Sequence, residues 1–410
     1  MFGYNVILKL FCCALLSLFA VQWIYYRILR IAKIKHLEDV PDARKLQKAP
    51  TPVLGGIAVF FGLTAGVILA ACLFPNVEDI LPIMLSCMVM LYIGSIDDVL
   101  GISAGMRAVI EALTIIGLIF GSGICIDSFH ALWGIGSFDW YWAVPLTVFV
   151  GVGLVNAFNM IDGVNGLSST LCIVCSVLLG IVFYKMSDPV DAALAFCFAG
   201  ALLTFALHNI FGEKSRMFIG DGGTMTMGIL VTWFVMRIMS SQGLANNQMD
   251  RMNMNTIAML LAIVSVPVFD TLRVMAGRMI RHQSPFAPDK THLHHMFISL
   301  GCSHFFTTIC ELCLNLLVTI VWYITYKVGI GLEGQLYGVL LAALFFIGGA
   351  TFVLYYCNNH ESICQRIRAY EARKSPKNKW WMRMEYWVDY RTYDVNDSLS
   401  KNSYTKDKFR

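Results

Sequence analysis

The chain has 410 residues, of which 57% are hydrophobic and 14% charged, with a formal net charge of +4 and a mean hydropathy of +0.64. These values exclude a soluble globular domain and a disordered chain, and they fit an all-α protein that crosses a bilayer many times. The net charge says little by its size; where the charges stand says more.

Apolar runs of about 20 residues match a hydrocarbon core of roughly 30 Å. They predict eleven spans: 5–27, 53–74, 80–98, 107–125, 141–159, 166–184, 190–211, 224–240, 255–277, 305–327 and 332–357. Each must be a helix, because hydrocarbon offers a bare backbone no hydrogen-bond partner. The segments 27–52, 97–107, 212–223, 278–304 and the tail after 357 carry 25 of the 31 Lys and Arg residues. This bias predicts a cytoplasmic location for these segments and for the C-terminus, with the N-terminus outside. The first run lacks a small-x-small cleavage site and leads into a basic stretch, so it reads as a retained span and not a signal peptide.

Residues 1–357 form one multi-span domain by this reading. The tail, 358–410, is basic and aromatic, and its run Lys377 to Trp387 predicts a segment partly at the headgroup layer, with disorder from about 392. The pairs Cys172/Cys175 and Cys310/Cys313 fall within apolar helices and read as buried packing, with neither zinc nor a disulfide expected. Gly62-x-x-x-Gly66 and Gly101-x-x-x-Gly105 are weak signals of helix contact.

Polar motifs interrupt this apolar background in a fixed order. The first basic segment holds Pro41-Asp42-Ala43-Arg44-Lys45, then Lys48 and Pro50-Thr51-Pro52 ahead of Gly55-Gly56, a stiffened stretch suited to clamping an anion. Asp97 and Asp98 close the third span; neighbours on a helix point about 100° apart, so one faces a metal while the other faces bundle or substrate. Asn156, Asn159, Asp162 and Asn165 recur every three residues, with Gly163 and Gly166 beside the last two. That spacing keeps polar groups near one helical face, while glycine lets backbone approach a ligand. A polar cap between two spans would need only one such residue.

Phe218-Ile219-Gly220-Asp221-Gly222-Gly223-Thr224 opens the eighth span, and glycine-rich backbone at a helix N-terminus offers free N–H groups to phosphate. Inside the ninth span, Asp270 and Arg273 stand three residues apart, where an ion pair reduces the cost of about 2.5–3.5 kcal/mol that each isolated charge carries at mid-membrane. They read as structural support near the cytoplasmic mouth, with substrate contact as the alternative. The segment from Arg278 to His295 holds Arg281, Lys290, His292, His294 and His295. It lacks the cysteines or H-E-x-x-H pattern of a zinc site, and its histidines are better suited to holding phosphate oxygens.

Taken together and in this order, these motifs resemble the polyprenyl-phosphate N-acetylhexosamine-1-phosphate transferases over roughly residues 36–300. The likeness is greatest to the bacterial undecaprenyl-phosphate N-acetylglucosamine-1-phosphate transferases that begin O-antigen, enterobacterial common antigen or teichoic acid linkage units. It implies transfer of N-acetylglucosamine-1-phosphate from UDP-GlcNAc to undecaprenyl phosphate, with release of UMP, at the cytoplasmic face of a bacterial inner membrane. By the same likeness Asp221 and Asp98 hold Mg2+, with Mn2+ as the alternative ion. Asp97, Asp98, Asp162, His292, His294 and His295 are catalytic. Lys48, Asn156, Asn159, Gly163, Asn165, Phe218, Arg107 and Arg281 bind substrate, Phe218 by stacking on the uracil. The implied partners are a UDP-N-acetylhexosamine, a polyprenyl phosphate, the membrane and a second copy of the chain; no nucleic acid is expected.

Two departures discriminate within the family. Gly101 stands where the phospho-N-acetylmuramoyl-pentapeptide transferases often carry Lys, and those relatives lack the lead-in Ser284 to Asp289, so both features favour N-acetylglucosamine. Asn165 stands where many relatives have an acid. The pentapeptide transferase is the rival within the class. An ion-coupled transporter is the rival outside it, but transporters gather polar residues near mid-membrane and show internal repeats.

Overall fold

The computed structural model describes residues 2–39, 50–241, 253–284, 290–373, 380–390 and 392. Among them, ten continuous helices are long and apolar enough to cross a membrane: α1 (Phe2–Ile34), α2 (Gly55–Leu73), α3 (Leu81–Leu100), α4 (Ala104–Ser122), α5 (Trp140–Met160), α6 (Leu167–Lys185), α7 (Pro189–Phe211), α8 (Gly220–Met239), α12 (His304–Val328) and α13 (Leu332–Asn358). The pair α9 (Thr256–Ile263) and α10 (Ser265–Ile280) is bent by 82°, the geometry of a broken span or a re-entrant loop, and counts as an eleventh crossing only if the two are one span. A short helix, α11 (Leu293–Leu300), precedes α12, and α14 (Glu361–Arg373) follows α13. Two-residue strands β1 (Glu38–Asp39) and β2 (Thr51–Pro52) pair antiparallel between α1 and α2.

Helix α8 is the centre of the bundle, packed by α2, α3 and α5. Its sequence is apolar on every side, as a fully enclosed helix requires. Two of its buried threonines are satisfied within the helix: Thr226 and Thr232 donate to the carbonyls of Gly222 and Gly228, at 2.7 and 2.8 Å. Of the two glycine pairs, Gly62 and Gly66 press α2 onto α1, because a Cβ at either would overlap Val21 or Ser17. Gly101 and Gly105 have open space around them. Gly101 instead ends α3 at φ +70°, a backbone conformation glycine adopts without steric cost.

The ninth span, expected as one helix over 255–277, is broken at Val264. Pro267 has no N–H to give the carbonyl of Ile263, four residues earlier. Asn315 of α12 repairs the gap: its Nδ2 donates to Ile263 O at 2.9 Å, and its Oδ1 accepts from Val266 N and Ser265 Oγ, both at 3.0 Å. Cys175 of α6 also donates to Ile263 O, which gives this member of the C-x-x-C pair a buried role. The other pair departs from the expectation. Cys313 is exposed and Cys310 half-buried, because the face of α12 carrying Glu311 and Asn315 points inward and turns those cysteines toward the outside.

The tail folds back on the bundle. Residues 380–390 are helical, with Trp381 against Phe211 and Phe305. The buried Asp389 carboxylate accepts from the N–H groups of Glu213, Lys214 and Ser215 at 2.9–3.1 Å, and from the Ser215 hydroxyl at 2.6 Å. Tyr26 adds a bond to Val388 O at 2.7 Å.

Asn315→Leu keeps the side-chain volume but strips partners from a break inside the bundle, where an unmade hydrogen bond costs about 1–3 kcal/mol. The detergent-solubilised variant is expected to denature at a lower temperature than the parent, as read by intrinsic fluorescence.

Candidate active site

All the polar motifs that the structure describes meet at one end of the bundle. Four glycines make the meeting close. A Cβ on Gly56 would fall 2.6 Å from Gly223 Cα, and one on Gly94 would overlap the backbone of Gly222. So α2 and α3 both touch the first turn of α8 through main chain alone. The turn before α8 is then sewn to the start of α2: Phe218 N donates to Pro52 O at 2.7 Å, Gly55 N to Phe218 O at 2.9 Å, and Gly56 N to Ile219 O at 2.7 Å. Gly220 sits at φ +74°, and a Cβ there would meet both Asp98 Oδ2 and Val53 O.

This packing puts the acids together. Asp98 Oδ1 accepts from Asp221 N at 3.0 Å. Asp221 Oδ1 accepts from Asn159 Nδ2 at 2.8 Å, and the same amide reaches Thr224 Oγ1 at 2.9 Å. Asp97 is committed on both oxygens: Oδ1 takes the N–H of Ile102, and Oδ2 pairs with Arg107 at 3.1 Å. Arg107 also approaches Asp221 Oδ2 at 3.7 Å and Glu111 Oε1 at 3.9 Å. Asp162 is fixed by the Ser168 hydroxyl and lies within range of the Asp221 charge. Asn156 turns its amide to Glu111 Oε2 at 2.6 Å.

Asp97, Glu111 and Asp221 therefore crowd around a single guanidinium, with Asp98 held beside Asp221. Among the described residues no three of His, Cys, Asp and Glu form a ready metal cage. Magnesium does not require one: it keeps several waters and takes one or two carboxylates together with substrate phosphates. The hard oxygen donors of Asp98 and Asp221, with negative charge in excess, suit that ion.

The histidines form a second cluster beside the first. His294 is buried, and Gly163 makes room for it; a Cβ at Gly163 would stand 2.5 Å from His294 Nε2. Its ring lies 5.6 Å from that of His292, nearly parallel, and 4.4 Å from that of His295. His292 Nδ1 pairs with Asp270 Oδ2 at 2.8 Å. Neither nitrogen of His294, nor Nε2 of His292, has a hydrogen-bond partner among the described residues. Asn165 joins this cluster to α12: its N–H donates to His304 Nδ1 at 3.2 Å, and its carbonyl accepts from Thr308 at 3.1 Å.

Other expected residues are placed differently. Phe218 is half-buried, its backbone locked as described. Arg281 caps α10 with its guanidinium beside Gly277, one turn back. Lys48 lies outside the described residues, as do 285–289 within the loop before the histidines.

Sequence reasoning passed over three participants. Glu111 was visible as an acid inside an apolar span, four residues after Arg107. Glu311, fully buried with neither oxygen partnered among the described residues, was visible in the same way on α12. His304 carried no signal beyond its type.

Residues 80–239 match the family Glycosyl transferase family 4. Among similar proteins is the undecaprenyl-phosphate alpha-N-acetylglucosaminyl 1-phosphate transferase of Yersinia pestis, 27% identical over 296 residues, covering 70% of this chain and 76% of that one. Its counterpart from Escherichia coli K12 is 28% identical over 297 residues, with the same coverage. The probable undecaprenyl-phosphate N-acetylglucosaminyl 1-phosphate transferase of Bacillus subtilis is 29% identical over 291 residues, covering 71% and 77%.

Burial, and after it the neighbouring His295 and His292, pushes the His294 imidazole down to about 3. The folded protein thus holds it neutral, while an unfolded chain protonates it near 6.5. Its share of stability is complete above that value and is lost as pH falls from there toward 3. Between pH 7.5 and 5 the loss amounts to about 2 kcal/mol, and His294→Gln is expected to flatten that part of the denaturation-temperature profile. The matched region and the motif order agree: residues 80–239 are similar to Glycosyl transferase family 4, and the chain's likeness to the polyprenyl-phosphate N-acetylhexosamine-1-phosphate transferases is borne out by these relatives.

Proposed function

We propose that the protein transfers N-acetylglucosamine-1-phosphate from UDP-GlcNAc to undecaprenyl phosphate, giving undecaprenyl-diphosphate-GlcNAc and UMP. The reaction takes place at the cytoplasmic face of a bacterial inner membrane, where a cytosolic nucleotide sugar meets a lipid phosphate, and it begins a cell-surface glycan. The chain works as a homodimer in this reading. The observation that carries it is the convergence of Asp98, Asp221, Asn159 and Arg107 from four helices at one bundle end. The relatives are named as N-acetylglucosaminyl 1-phosphate transferases, which favours N-acetylglucosamine over the pentapeptide, and polar groups clustered at one end suit a transferase better than an ion-coupled carrier.

The chemistry brings two anions together. A lipid phosphate oxygen attacks the β-phosphorus of UDP-GlcNAc, a P–O bond forms there, and the bond from that phosphorus to the UMP oxygen breaks. Because a phosphomonoester has its second pKa near ~6, the attacking group is already mostly dianionic at pH 7 and needs no strong base. Asp98 and Asp221 would hold the magnesium ion, which when bound supplies charge neutralisation between the phosphates and at the leaving UMP. Asn159 fixes the rotamer of Asp221. Asp97, engaged on both oxygens, orders the turn into α4 and aims Arg107 at the site. The half-buried Phe218 offers a ring to the base, and the α5–α6 turn from Asp162 to Asn165 lines the nucleotide side. Transfer is direct, with no phosphosugar attached to the enzyme.

Purified protein in detergent with undecaprenyl phosphate and a panel of UDP-sugars tests this, with mass spectrometry of the lipid product and assay of UMP. The expected product is the GlcNAc diphospholipid, formed only with a divalent cation. Asp98→Asn and Asp221→Asn are each expected to reduce UMP release to below about one hundredth while the protein still inserts. Near-normal turnover in both would remove the metal assignment, and a phosphosugar trapped on Asp97 or Asp98 would overturn direct transfer.

A further inference from the structure

We propose that Asp270 is a positioning residue for this transfer, setting His292 and Arg273 as a rigid pair that meets an anionic oxygen of the diphosphate. The inference rests on the transferase reading above and assigns a defined task to a residue that the motifs alone leave between structural support and substrate contact.

The geometry is specific. Asp270 is buried on α10, and its contacts converge on one short stretch of chain. Oδ2 pairs with His292 Nδ1 at 2.8 Å, and both oxygens lie 3.3–3.4 Å from Leu293 N. Oδ1 accepts from Arg273 Nη2 at 2.6 Å and from Nε at 3.2 Å. Arg273 in turn donates to Thr291 O at 2.6 Å. One carboxylate thus fastens residues 291–293 to α10 and fixes both the ring plane of His292 and the fork of Arg273.

A purely structural ion pair would end there. Here the far nitrogen of His292 is buried and unpartnered among the described residues. A buried polar atom without a partner in a protein chain points to a group the chain does not itself supply. The ring stacks beside His294, which packs on Gly163; the neighbouring Asp162 is itself in range of the Asp221 charge. With Nδ1–H given to Asp270, Nε2 is the atom left for a ligand. A phosphate oxygen approaching on that side meets the His292 ring with the Asp270 carboxylate behind it. The partly exposed Arg273 offers further donors on the same side.

The test is a double-mutant cycle on the full-length protein in detergent with UDP-GlcNAc and undecaprenyl phosphate. Asp270→Asn is expected to lower kcat by about 10- to 100-fold with a much smaller change in KM for UDP-GlcNAc, and Asp270→Glu to recover part of the loss. In a His292→Gln background, Asp270→Asn is expected to cost less than about twofold, as for groups acting as a unit. Equal losses in both backgrounds, or full activity of Asp270→Asn, overturn the proposal. A wild-type protein that turns over no UDP-sugar refutes the transferase reading instead. If Asp270→Asn does not accumulate, 15N-histidine spectra of the wild type decide. The resonance of His292 Nε2, identified by its absence in His292→Gln, is expected to shift when UDP is added with magnesium, and an unmoved resonance overturns the assignment.

Discussion

Main-chain contact between three helices is the constraint from which the rest of the site follows. In a bilayer, lipid is as apolar as leucine, so helices gain little by hiding greasy surface from it and associate through close packing and hydrogen bonds. Glycines on α2, α3 and α8 allow that closeness at the bundle end where it matters. Once Gly94 lies on Gly222, the carboxylate four residues later on α3 arrives at the N–H of Asp221. Once Gly56 lies on Gly223, the chain before α8 pairs with the chain before α2 and the Phe218 turn is held. The acids owe their positions to missing side chains.

Electrostatics divides the two ends of the molecule. At the end away from the motifs, Arg237 meets Asp188 at 2.7 Å and also Asp191, which takes the Trp233 N–H as well. That cluster is bonded and enclosed. At the other end Arg107 faces Asp97, Glu111 and Asp221, with Asp98 alongside. Two unit charges 4 Å apart interact by about 4 kcal/mol at an effective dielectric of 20, so one guanidinium cannot offset that much negative charge. The first end is closed by its ion pairs, whereas the second holds a standing attraction for added positive charge.

What the sequence revealed depended on range. The spans were legible from their length and composition, and the site from motifs whose chemistry is local: paired acids, repeated amides, a glycine turn. The break at Val264 was not, because Pro267 announces a lost bond but not the Asn315 amide, about 50 residues away, that makes the bend tolerable. Two identical glycine spacings had opposite meanings: Gly62 and Gly66 touch α1, whereas Gly101 terminates a helix, and only the packed structure distinguishes them. Glu111 was readable from its isolation in an apolar run, yet its bond to Asn156 joins different helices and leaves no trace in local spacing.

The clasp of Asp389 on residues 213–215 has a consequence for how the protein is made. A ribosome delivers this loop some 175 residues before its cap. Throughout that interval three consecutive amide hydrogens must be satisfied by water, and the approach to α8 lacks its final anchor. Completion of the loop that leads to Asp221 therefore waits for residues made long after the helices on either side of it.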